Sequence, residues 1–104
     1  MIDTISLLNS YYKVVQQRGI LQDVNKEIKR RDEKWGEQKH DLSDWMTILG
    51  REFGEACKEV SETKMAKGLT EMAQAMDRLD GELVQVVAVC FCILEKIRNK
   101  NVNS

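Results

Sequence analysis

The chain has 104 residues and a mass of 12.0 kDa, with 17 acidic against 16 basic side chains and a formal charge of −1. Its length allows one domain at most. Its balanced charge argues against a nucleic-acid binder, which shows a basic excess, and against a polyacidic tail or buffer protein. The hydrophobic fraction of 42% is enough to drive folding.

There is no proline, and the six glycines are scattered. A β-rich chain of this size punctuates its turns with Gly and Pro, so long helices with few joints are expected. The longest unbroken apolar run, Val86 to Leu94, is nine residues. That is far below the ~20 needed to span a bilayer, so no membrane partner is expected. The N-terminal residues lack the basic stretch of a secretory signal. Cys57, Cys90 and Cys92 form no disulfide framework or metal spacing and read as small apolar residues in a reducing cytoplasm.

In chain order, Ile2, Ile5, Leu8, Tyr12 and Val15 follow helical spacing and predict a first helix to about Gln17. Gly19 is a plausible break. Ile20, Leu21, Val24 and Ile28 begin a second helical pattern, which ends in the charged stretch Lys26–Lys34. Trp35 to Asp41 reads as a loop. Asp41 and Ser43 are good N-cap types for a third helix reaching about Glu62. After Gly68, Leu69, Met72, Ala73, Met76 and Leu79 restore helical spacing, and Gly81 is a candidate bend. The last element, Glu82 to Arg98, is apolar on nearly every side and therefore must be covered on nearly every side. The expectation is an all-α fold of roughly four helices in a single domain, residues 1–98, with a polar tail, 99–104. Homo-oligomerisation through the last helix, as a dimer or tetramer, would complete the bundle.

The glutamates of the third helix carry the chemical signal. At about 100° per residue, with Trp45 at zero, the apolar arc runs from Ile48 near 300° to Cys57 near 120°. Glu52 at about 340° and Glu59 at about 320° fall inside that arc, and Glu55 at about 280° sits at its edge. Three acids at i, i+3 and i+7 repel one another, and against a core they also lose hydration. Glu82 and Gln85, three apart on the next helix, add oxygen ligands. Two helices presenting oxygens to one another form a hard-cation site of the Mg²⁺ type. The spacing equally admits a second reading, in which these acids form a solvated face or pair with Lys or Arg of the first two helices.

The segment Ile48-Leu49-Gly50-Arg51-Glu52-Phe53-Gly54-Glu55-Ala56-Cys57-Lys58-Glu59 resembles the E-E-x-x-E motif of the MazG-like, all-α nucleoside triphosphate pyrophosphohydrolases. Glu82-Leu83-Val84-Gln85 is similar to their second motif, E-x-x-D. Lys34-Trp35-Gly36-Glu37-Gln38-Lys39-His40, followed by Trp45, resembles the short phage-type and bacterial members. The likeness covers roughly Arg31 to Glu95. It implies hydrolysis of a nucleoside triphosphate to the monophosphate and pyrophosphate in nucleotide-pool house-cleaning. The implied cofactor is Mg²⁺, or alternatively Mn²⁺, held by Glu52, Glu55, Glu82 and Gln85. Glu59, on the same face, would hold a second metal or orient water. The first Glu of the first motif is Arg51 here, and the Asp of the second is Gln85. Gln85 removes one anionic ligand, which keeps a non-catalytic helical nucleotide-binding or oligomerisation module as the alternative.

Ahead of the acidic helix, Trp35 would stack a base or anchor the loop, and His40 would contact the nucleotide or serve as a surface or capping residue. Arg31 and Lys34 are the bases best placed to meet a triphosphate. Gly-rich phosphate loops and Ser-His-Asp sets are absent from the sequence.

Overall fold

The computed structural model describes residues 3–35 and 40–99. These form three helices, α1 (Thr4–Trp35), α2 (Leu42–Met65) and α3 (Leu69–Arg98), with no strand among the described residues. The fold is all-α, as expected, but three helices stand where about four were predicted. Gly19 lies inside α1 and Gly81 inside α3. One interior glycine costs a helix about 1 kcal/mol relative to alanine, too little to break a long periodic segment. The charged stretch before Trp35 belongs to α1.

Each helix start has a local cause. The Asp3 carboxylate accepts from the Ser6 N–H at 2.8 Å and from its hydroxyl at 3.1 Å. At α2, Asp41 accepts from the Asp44 N–H at 2.8 Å while the Asp44 carboxylate accepts from the Asp41 N–H. This reciprocal box fixes the first turn. Ala66 leaves the helix in an extended conformation. Three residues later α3 begins, and its Glu71 carboxylate accepts from the Lys67 N–H.

The short connection makes α2 and α3 an antiparallel pair. Trp45, near the start of α2, packs with Val89 and Ile93 near the end of α3. Glu59, toward the end of α2, pairs with Arg78 near the start of α3. Ile48, Leu49 and Cys92 pack around the Trp45–Val89–Ile93 cluster. Each fully buried aliphatic chain there contributes roughly 1.5–3 kcal/mol. Buried Ala56, Ala75 and Ala88 add small residues to the packed interior. The second half of α1 lies against α3 through Val24, which is buried.

The last helix is covered less than its composition demands. Leu83, Val87, Phe91 and Leu94 remain about half exposed, as do Met72 and Met76 earlier in α3. Cys57, expected at the edge of the core, is also exposed. α1 and α2 cover one side of α3 and leave the other bare. No helix among the described residues is long and apolar enough to cross a membrane.

Candidate metal centre

The antiparallel register places the middle of α2 beside the middle of α3. Glu52 and Glu55, one turn apart on α2, meet Glu82 of α3 there. One carboxylate oxygen from each lies within 4.8 Å of the other two. An octahedral Mg²⁺ at ~2.1 Å from its ligands separates neighbouring oxygens by ~3 Å and opposite ones by ~4.2 Å. The three glutamates therefore need only small side-chain movements to close on one ion.

The three differ in setting. Glu52 is 5% exposed, while Glu82 is partly buried and Glu55 is exposed at the mouth. The angular reading anticipated this gradient for α2, with Glu52 inside the apolar arc and Glu55 at its edge. Oε2 of Glu52 and Oε2 of Glu82 are both buried and make no hydrogen bond. A buried carboxylate oxygen without a partner is costly, and such an atom in a native fold calls for a reason. Burial pushes the Glu82 carboxyl above the ordinary glutamate range. The Glu55 charge and a hydrogen bond with Glu55 push it further, and Glu52 and Glu59 add repulsion.

The charge balance points the same way. Arg31 of α1 is buried and donates to Oε1 of Glu52 at 3.3 Å and to Glu27 at 3.2 Å. Arg30 donates to both oxygens of Glu27. Arg51 is largely exposed, and its guanidinium reaches to 3.8 Å from the same Glu52 oxygen. Among the described residues, neither Glu55 nor Glu82 has an ion-pair partner. A divalent cation would offset two such charges and complete both orphaned oxygens. The residues present thus fit a hard cation with carboxylate ligands.

The other anticipated residues fall as follows. Glu59 accepts from Arg78 at 2.9 Å and is not one of the three converging acids. Gln85 is partly buried one turn beyond Glu82. Arg31, expected to face a triphosphate, lies buried in the wall of the site with Glu52 as a partner. His40 is half-buried and sets its ring edge-on to Trp45, with centroids 5.3 Å apart. The side chains of Lys34 and Trp35 lie outside the described residues. Glu27 and Arg78 join the surroundings of the site without having been anticipated from the sequence. Glu27 was signalled by its i+3 and i+4 arginines, Arg30 and Arg31. Arg78 carried no local signal, because its partner is 19 residues away.

No family model, curated protein or solved structure matches the chain.

Proposed function

We propose that the chain binds a divalent cation, Mg²⁺ or Mn²⁺, through Glu52, Glu55 and Glu82, and hydrolyses a nucleoside triphosphate to the monophosphate and pyrophosphate. The observation that carries the metal site is the pair of buried, unpartnered oxygens on Glu52 and Glu82 within a three-carboxylate cluster. The motif likeness around Glu52, Glu55 and Glu82 supports the substrate class. When bound, the cation would neutralise the polyphosphate and acidify a water for attack on phosphorus. Glu52, held on one oxygen by Arg31, keeps its other oxygen for the site. Glu82 supports from the second helix, and Gln85 adds a neutral oxygen donor beside it. Glu55 stands at the open side, where a substrate would arrive.

Assembly as a homo-oligomer belongs to the same reading, supported by the bare apolar side of α3. A reducing cytoplasmic setting is supported by three free thiols. The test is incubation with Mg²⁺ or Mn²⁺ and a panel of ribo- and deoxynucleoside triphosphates, with pyrophosphate detected. Release that Glu55→Gln removes supports the reading. A folded protein that binds the metal yet releases nothing from any triphosphate overturns the enzyme claim.

A second reading is a non-catalytic nucleotide-binding or oligomerisation module. It is favoured by Gln85 and by the neutralisation of Glu52 by Arg31. A nucleotide-dependent rise in melting temperature without turnover would select it.

A further inference from the structure

The first half of α1 projects as an arm. Every residue from Thr4 to Arg18 is exposed. With Ile5 at zero and about 100° per residue, the apolar residues occupy one continuous half of its circumference, from Val14 near 180° to Ile5 itself. Leu7, Leu8, Tyr11 and Tyr12 lie in that half, and their exposures run from 47% to 63%. Ser6, Asn9, Ser10, Lys13, Gln16 and Gln17 fill most of the other half. A half-apolar helix is the pattern of one packed against another surface.

The arm cannot fold back on its own core. α1 is one continuous helix, and its second half is fixed to α3 by Val24 and to α2 by the Arg31–Glu52 pair. The arm's 15 residues therefore extend about 22 Å as a rigid rod. The molecule measures 53 × 46 × 21 Å, with a radius of gyration of 17.7 Å. A compact chain of this length has a radius near 13 Å.

An acceptor of matching character lies elsewhere on the same chain. Met46, Leu49, Gly50, Phe53, Val86 and Cys90 line an open apolar groove of about 380 Å³ between α2 and α3. Nothing lies within 4 Å of where a Cβ on Gly50 would sit. Charge complements shape: residues 4–18 carry two bases and no acid, while residues 41–62 carry six acids against two bases. The accessible surface is 8523 Å². A folded monomer of this mass exposes ~6000 Å². The excess of ~2500 Å² is of the size a permanent dimer buries.

We propose that two copies exchange arms, with residues 4–18 of each lying in the α2–α3 groove of the other. The exchange rests on the homo-oligomer reading above and adds the surfaces and the occupant. Two equivalent contacts about one axis close the assembly and leave no sticky end.

Light scattering after gel filtration tests this on the full chain, on Leu8→Glu/Tyr12→Glu and on Phe53→Glu. The full chain is expected at twice its monomer mass and both variants at monomer mass. Equimolar arm and groove variants together should recover dimer, because one intact arm meets one intact groove. The arm substitutions fall on exposed residues, so helicity should persist. A folded full chain that is monomeric overturns the assembly and the exchange together. An oligomer whose mass the arm substitutions leave unchanged overturns the exchange alone. If Phe53→Glu misfolds, a second measurement replaces it. Single cysteines at 5, 8, 12 and 15, in a Cys57→Ser/Cys92→Ser background, are oxidised mildly against native Cys90. A covalent dimer from at least one supports the exchange, and none from all four overturns it. Mn²⁺ binding, followed separately, reports on the metal centre alone.

Discussion

The Arg31 guanidinium of α1 lies 3.3 Å from the Glu52 carboxylate of α2, and both side chains are at least nine-tenths buried. The two helices meet through these side chains, since their backbones make no close approach of their own. One oxygen of Glu52 is thus tied to a fixed cation while the other faces Glu55 and Glu82 without a partner.

Removing one partner of a buried pair strands the other charge. Arg31→Met should lower stability by about 3–5 kcal/mol in metal-free protein. Saturating Mn²⁺ should recover part of the loss by taking up the Glu52 charge. The double variant Arg31→Met/Glu52→Leu should be much closer to wild type in urea denaturation, but without a metal response.

Glu82→Gln should stabilise the metal-free protein. The folded state holds this carboxyl above its ordinary range through burial and the Glu55 charge. A raised acid leaves the fold most stable below the unfolded value and less stable as pH rises toward the folded one. The variant's advantage should therefore appear only as pH climbs past the ordinary glutamate range, as a rise of roughly 2–5 °C in melting temperature at neutral pH. The same variant should lose the melting shift that Mg²⁺ or Mn²⁺ produces.

Glu55 and Glu59 should separate by readout. Glu55→Gln should abolish the metal-induced melting shift and, by relieving its repulsion of Glu82, leave metal-free stability unchanged or slightly raised. Glu59→Gln should keep the shift and lower stability by up to about 1 kcal/mol, through loss of the partly exposed Arg78 pair. Calorimetric titration with Mn²⁺ checks both.

Glu27 gives the opposite pH signature. Hydrogen bonding from Arg30 is the main cause holding its carboxyl below the ordinary range, with Arg30 and Arg31 charges adding to it. A depressed acid contributes stability above the unfolded value, about 4.3, and loses it as pH falls through the folded one. Glu27→Gln should thus cost about 1 kcal/mol at neutral pH and nothing once both states are protonated. Melting curves from about pH 2 to 7 for the pair of proteins, spanning the carboxylate region, measure the difference.

Much of this was legible in the residues because helical periodicity is local. The all-α fold follows from helical spacing and the absence of proline, the inward turn of Glu52 from spacing, and Asp41 was one of two good N-cap types, with Ser43, at the start of α2. The helix count did not, because Gly19 and Gly81 are weak penalties set against long favourable segments. The meeting of Glu82 with Glu52 and Glu55 required the antiparallel register, which the Ala66–Gly68 connection and the Trp45–Val89–Ile93 packing impose. Pairing of the acids with a base from the first helix was one of two open readings. That Arg31 reaches one oxygen of Glu52, leaving its other oxygen with Glu55 and Glu82 for a cation, depends on how α1 crosses the other helices, which no stretch of sequence encodes locally.

All three acids stand on uninterrupted helix, so the Glu52–Glu55 spacing is set by helical pitch and not by any loop. One residue inserted between Glu52 and Glu55 would swing one acid about 100° around α2 relative to the other. In any relative of this chain the lengths of α2 and α3 between the acids and the core contacts should therefore be invariant, a ruler by which a distant member could be recognised.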